Sequence, residues 1–542
     1  MTKQKRNNTP RQKEAAKHHK ETSKPKQGRR IRLMPVTVVM FVLVWLWAGV
    51  WYGDVLAIAR ESSFWAPDAT LMQHMKGRPW AALWWTGQAL LQLYRWPLLG
   101  GLATALMLSG GTWLLGYCLR LRGWRRLVQY LPAAAYLCWV AYIGFDLYFE
   151  AETGKIMGIP FICFATVLVL ALVIRSFSRS HKFPALIRPP KDETPGQNRA
   201  QLIAVCLAVL APMVVTQTMR PYVRVVTRMQ RQMMRQEWQE MAETARGHAE
   251  LSYRHIAAYY AIALVQTGEQ ASRLFDIRMD YDTPYIHGYN GSTANAANYY
   301  LMDCDFHAGL VETAIHHGVE HMTMNGPSLR SLKLLTKCAL LRGEWAVAEK
   351  YLRILQYVPF EGDFIARYRP MLKQPELVDA DPEFRMVRLT EPMHDSFENF
   401  YAQPSFMGYN AALIEGRSIN ALWNSQLVHI YTKTMPQFIE RCRPMQGTTP
   451  PRSLSEALFL MSSKAPEVLQ LYPGLEYNRA KLTSFMQEVK PYIGSYESRA
   501  EHAQALFPKW KGYYPYYYFF GNLKATRGHT KENEGSSNQG VN

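Results

Sequence analysis

The chain has 542 residues, 48% of them hydrophobic and 13% aromatic, and a formal charge of +19. That apolar content excludes a disordered chain and allows two or more domains with a large buried core. The charge would point to nucleic acid only if it covered a folded surface, and its distribution excludes that: residues 1–33 carry 12 Lys/Arg against 2 Glu, residues 34–219 carry 15 against 8, and residues 220–542 carry 35 against 33.

The excess therefore lies in a tail and in short loops between apolar segments, where membrane insertion needs it. Residues 1–33 read as a disordered, cytoplasmic tail. Over 34–219, five stretches are apolar and long enough to approach the roughly 20 residues that cross a hydrocarbon core: Met34–Tyr52, Trp96–Leu119, Leu127–Phe149, Ile156–Ile174 and Ala200–Met219. The third contains Pro132 and the fifth Pro212, so neighbouring helices must satisfy the backbone groups those prolines free. "AIA" at Ala57–Ala59 imitates a signal-peptidase site, but a long Trp-rich run behind 33 polar residues predicts an uncleaved anchor. Between the first two spans, "WAALWWTGQALLQLYRW" predicts a helix, either lying at the headgroup layer or packed on the other spans.

Basic loops at 120–126 and 175–199 alternate with an acidic one at Asp146–Lys155, which puts the amino terminus inside and the carboxyl half outside. In a bacterium this is an inner-membrane protein with a periplasmic C-terminal domain. Its seven cysteines include no CxxC, and three fall in the exported part, so no disulfide framework is expected.

Residues 220–250 are rich in strong helix formers and predict a stalk helix whose Arg and Met content suits a surface near headgroups. From 251 to 440 a small-residue cadence appears. In "LLTKCALLRGEWAVAEKYLRILQYVPF", Gly343 supplies a turn, Ala348 a close crossing, Leu352 and Leu355 a buried stripe, and Pro359 a stop. Related signals recur at Gly268, at Gly309 with Ala314, and at Gly416 with Ala421, at separations of 41, 34 and 73 residues, near one, one and two units of about 34 residues. Residues 441–523 predict a helical cap ending in the aromatic "KWKGYYPYYYFFGN", read as cover for the last hairpin or a contact with the membrane surface in preference to a ligand platform, and 524–542 a disordered tail.

Candidate chemistry is sparse. His307, His316, His317 and His321 lie near Cys304 and Asp305, but no HExxH occurs, so structural or surface histidines are expected and no metal or other cofactor. The loop 276–300 interrupts the helices with Asp280, Asp282, His287, Tyr289 and Asn290, the candidate binding residues, although Asp and Asn also cap helices and make turns. No catalytic residue is assigned, because no phosphate loop, dinucleotide fingerprint or nucleophile elbow is present.

The Gly343 segment resembles a tetratricopeptide (TPR) repeat, and the whole resembles Bacteroidetes-type multi-pass membrane proteins with a degenerate TPR-like domain. The expectation is an all-α protein: an N-terminal bundle of about five transmembrane helices, then an extracytoplasmic TPR-like domain. Stacked hairpins of that kind form a groove for a protein partner, so a non-enzymatic membrane scaffold leads. The alternative is an envelope glycan- or lipid-processing enzyme using the loop 276–300.

Overall fold

A computed structural model describes residues 36–68, 73, 80–121, 123–144, 153–177, 195–249, 254–279, 301–391, 419–463, 465–472, 475, 478–492 and 499–521. Among these, every regular element is helical. The apolar part comprises α1 (Val36–Leu46), α2 (Gly53–Glu61), α3 (Ala81–Leu91), α4 (Pro97–Cys118), α5 (Leu131–Ile143), α6 (Lys155–Phe177) and α7 (Pro195–Met219).

Three of these are long and apolar enough to cross a membrane, at Pro97–Cys118, Lys155–Ser176 and Gly196–Met219. A fourth span arises if α1, its continuation as a π turn over Trp47–Trp51, and α2 are taken together; these are bent by 61°. Three or four of the five expected spans are thus met by helices of that length and composition among the described residues. The remaining one, Leu127–Phe149, has only the 13 residues Leu131–Ile143 in α-helix among those described, too few for a hydrocarbon core without the 3₁₀ turns that lead into them. A 3₁₀ stretch, Gly123–Tyr130, precedes α5, and Gly144 at φ +26° follows it.

The helices pack as an array in which α1 lies between α4 and α7, α6 lies against α4 and α3, and α5 lies against α7. Between helices that lie in lipid, apolar side chains give little net drive and close backbone approach takes their place. Glycines supply it at two crossings. A Cβ at Gly101 would fall 2.7 Å from the Cα of Gly49, and one at Gly87 would collide with the carbonyl oxygen of Gly154. The helix predicted over Trp80–Trp96 is α3, and this second crossing packs it against α6; Trp80 itself is 72% exposed.

The C-terminal half holds α8 (Val223–Met234), α9 (Trp238–Arg246), α10 (Arg254–Thr267), α11 (Gln270–Arg273), α12 (Leu301–His307), α13 (Val311–Asn325), α14 (Leu329–Arg342), α15 (Trp345–Leu355), α16 (Pro382–Thr390), α17 (Ile419–Thr432), α18 (Met435–Cys442), α19 (Arg452–Met461), α20 (Arg499–Trp510) and α21 (Tyr514–Phe520). The expected stalk is not one helix. Gln236 at φ +60° folds α9 back on α8, and α8 buries Val223, Val226, Met229 and Met233 against α2 and α10. Positive-φ residues also stand between further helix pairs, among them Gly268, Gly309, Gly343 and Lys433. Gly416, the remaining predicted turn, lies outside the described residues.

α10 differs from a hairpin member that shows one face to solvent. Ile256 through Val265 are each 1% exposed or less, which is the signature of a helix surrounded on all sides. α8, α9 and α12 pack on it, and its polar atoms are matched inside: Tyr259 Oη donates to Gln230 at 2.8 Å, Tyr260 Oη to the Arg273 carbonyl at 2.8 Å, and Gln266 to the His307 carbonyl at 2.6 Å. The aromatic C-terminal segment is a cover. Tyr514 and Tyr517 donate to the carbonyls of Ile430 and Tyr431, each at 2.9 Å, and are buried against α17 and α19. All seven cysteines are free thiols.

The two halves are joined by a buried ion quartet. Arg60, in the last turn of α2, meets Glu61 at 2.6 Å and Glu361 at 2.5 Å; Lys333 of α14 meets Glu61 at 2.9 Å and Glu361 at 2.8 Å. Two cations balance two carboxylates. The Arg60 and Glu361 side chains are 1% exposed, so the group is stable only complete, and loss of one partner strands a buried charge at a cost of roughly 3–5 kcal/mol. Around it, Leu329 N–H donates to the Ser63 carbonyl at 2.9 Å and the Trp96 ring stands against Phe360 at 4.9 Å.

Two predictions follow from these contacts. Glu361→Ala is expected to lower stability by roughly 3–5 kcal/mol, and Glu361→Ala with Lys333→Met to recover part of that loss, measured as a double-mutant cycle on thermal unfolding in detergent. Gly87→Ala, whose methyl meets a backbone carbonyl, is expected to cost about 1–3 kcal/mol; an unchanged melting temperature would mean that α3 does not touch α6 as described.

Candidate functional site

The candidate binding residues Asp280, Asp282, His287, Tyr289 and Asn290 all lie outside the described residues. The segment that leads to them is firmly held. Asp276 lies 3.6 Å from Arg273 and 3.7 Å from Arg452, the Phe275 carbonyl accepts from Gly512 N–H at 2.9 Å, and the Met279 carbonyl accepts from Tyr431 Oη at 3.3 Å.

The histidines do not converge. His317 Nδ1 bonds Asp305 at 2.7 Å, His321 Nδ1 bonds Ser331 Oγ at 3.0 Å, and His316 faces Glu320 at 4.0 Å on the surface. His307 is buried beside the Trp238 ring at 4.9 Å. No group of three potential metal ligands occurs among the described residues.

What the fold does assemble is a row of arginines on α8. Arg224, Arg228, Arg231 and Arg235 follow one another at intervals of four, three and four residues, so they share one helix face, opposite the buried face of the same helix. The row runs along the junction between the apolar bundle and the C-terminal half. Arg224 donates to the Trp51 carbonyl at 3.0 Å and covers the Trp51 ring at 4.2 Å. Asp54 of α2 pairs closely with Arg231 and reaches Arg228 at 3.9 Å.

Two cavities open on either side of that contact. One, of about 630 Å³, is lined by Arg231 and Arg235 with Arg95, Glu61, Asp363 and Phe360, so its charges are mixed. The other, of about 470 Å³, takes Arg224 and Arg228 with Arg246, His248, Phe507 and Lys511. Sequence reading noted the arginine content of this segment but assigned no residue. The signal was its helical spacing, hidden while the stretch was read as a free-standing stalk.

A second buried charge cluster lies deeper. Glu383 accepts from Lys337 at 2.8 Å and from Tyr368 Oη at 2.8 Å. Burial opposes its ionisation, yet Lys337 and the nearby His307 hold it down at about 2. His307 is lowered to about 4 by burial and then by Lys337, and His321 to about 3 by burial and then by Arg330. His317 moves the other way: burial would lower it, but Asp305 raises it above the usual value.

The signs give a pH dependence. His307 and His321 stay neutral in the fold while the unfolded chain takes up protons below about 6.5, so stability falls between pH 6.5 and 4. Glu383 contributes above about 4.5 and is lost below that, and His317 opposes the decline near neutral pH. His307→Gln is expected to flatten the fall between pH 6.5 and 4, by up to about 3 kcal/mol, in thermal melts recorded across that range. An identical slope would show that His307 takes up its proton in the fold as readily as in the unfolded chain.

Residues 139–521 match a family of unknown function, DUF6057. No curated protein and no solved structure matches the chain. The matched stretch begins within α5 and runs through α21, so it takes in the arginine row, Lys333 and Glu361, while Arg60 and Glu61 precede it. Since it covers more than half of the chain, the protein belongs to the DUF6057 family.

Proposed function

We propose that the chain is a multi-pass protein of the bacterial inner membrane, with a cytoplasmic amino terminus, whose TPR-like C-terminal half stands in the periplasm as a non-enzymatic scaffold for a protein partner. The observation that carries this reading is the junction. A buried, charge-balanced quartet and a continuous apolar core join the hairpins to the apolar helices. A domain so fixed presents the same face to its surroundings at all times, as a docking platform requires. The hairpins α13 and α15 offer exposed apolar side chains for such a contact, among them Val319, Met324 and Val347. The orientation takes Gly123–Ile143 as a crossing, which puts the basic loops at 120–126 and 175–199 on one, cytoplasmic side; the contacts of Gly123 with Gln197 and of Gly144 with Tyr52 and Val223, at opposite ends of the bundle, support it.

A second reading, an enzyme acting on envelope glycans or lipids, is supported by the two cavities on the arginine row, which a lipid-borne substrate would reach if α7 crosses the bilayer.

A reporter fused after Met219 tests the orientation: it is expected to be active as a periplasmic fusion and silent as a cytosolic one. Affinity purification of the full chain is expected to bring down a stoichiometric protein partner. That partner should be lost on Val319→Asp with Val347→Asp while the melting temperature is retained. A cytosolic reporter, or a partner indifferent to both substitutions, overturns the reading.

A further inference from the structure

The smaller cavity has a composition that the scaffold reading does not use. Arg224, Arg228, Arg246 and Lys511 line it together with His248, and no carboxylate of the described residues does. Two of the arginines are partly neutralised from outside: Glu243 lies 2.9 Å from Arg246, and Asp54 lies 3.9 Å from Arg228. Among the described residues no carboxylate forms an ion pair with Arg224 or Lys511. Burial, and after it repulsion from Arg228, lowers the Arg224 guanidinium from the usual arginine range, as expected where positive charge is in surplus.

The walls are not uniformly polar. Val225, Phe507 and Pro508 contribute an apolar side, and Gln217 and Pro221 place the cavity at the end of the apolar helix that stops at Met219. If α7 crosses the bilayer, that depth is the headgroup layer, where phosphate and glycerol meet the acyl chains. This step rests on the membrane half of the proposal above and is independent of any protein partner.

We infer that this cavity binds the phosphate group of an anionic membrane lipid, with Arg224, Arg228 and Lys511 around the phosphate oxygens and Phe507 beside the lipid stem. Free phosphate offers the same charge, but it has no use for the apolar wall or for the depth. Arginine suits the task because its planar fork donates two parallel hydrogen bonds to one phosphate.

The test uses the full chain in a neutral detergent, titrated with dihexanoyl phosphatidylglycerol, dihexanoyl phosphatidylcholine or inorganic phosphate and read by thermal shift. Phosphatidylglycerol alone is expected to raise the melting temperature saturably, and less so as salt is added. In Arg228→Gln with Lys511→Gln the apparent affinity is expected to fall about tenfold or more, the equivalent of one lost charge-assisted contact. Arg228 is 53% exposed and Lys511 is exposed, so the ligand-free melt should match that of the parent protein. If it does not, Lys511→Gln alone carries the comparison.

An equal response to phosphatidylcholine, an unchanged affinity in the variant, or no response at all overturns the inference. Saturation by inorganic phosphate at the same concentration, with loss of the phosphatidylglycerol shift, assigns the site to a free anion and overturns the lipid. Release of the chain from native membranes by alkaline carbonate would instead defeat the membrane reading, and it is scored separately.

Discussion

The quartet of Arg60, Glu61, Lys333 and Glu361 is the constraint on which the arrangement of the two halves depends. Four charges so nearly withdrawn from water are tolerable only if each finds its opposite at hydrogen-bond distance. Arg60 and Glu61 sit side by side at the end of α2, and their partners come from α14 and from the turn after α15. α2 must therefore reach that corner of the C-terminal half. The π turn over Trp47–Trp51 and the 61° bend after it turn the first apolar helix toward its ionic partners. π turns often mark such departures from a straight helix.

A second organising element is α10. Hairpins stacked in an open row leave every helix with an outer face, whereas α10 has none from Ile256 to Val265. The surrounding helices cover it, and Tyr259, Tyr260 and Gln266 spend their polar atoms on those helices. The C-terminal half is thus organised around a buried axis, and the α8–α9 pair that covers part of it also carries the arginine row on its other side. Stability and the candidate binding surface are two faces of one helix.

Much of this was legible in the sequence, for identifiable reasons. Apolar length marked α4, α6 and α7, because lipid demands about 20 residues whatever the fold. Glycine marked the turns at 268, 309 and 343, since a left-handed residue without a Cβ costs little there. The same rule missed Gln236 and Lys433, which adopt positive φ despite their side chains, because tertiary packing fixes the turn in place of local preference. Arg60 was hidden for another reason. "AIARES" reads as the end of an apolar run beside a processing signal, and its ionic partners lie about 270 to 300 residues further on. No local pattern reports a pairing at that separation. The candidate loop residues Asp280 to Asn290 were chosen from composition alone, whereas the arginine row needed the fold, which shows the helix face opposite them to be buried.

The unbroken core at the junction has a mechanical meaning. Where a flexible tether would absorb a pull or a twist applied to the hairpins, here the load passes through α2 into α1 and from there to α4 and α7, which grip α1 on both sides. An object that leans on one half is felt by the other as a change of helix tilt, and the two halves behave as a single lever.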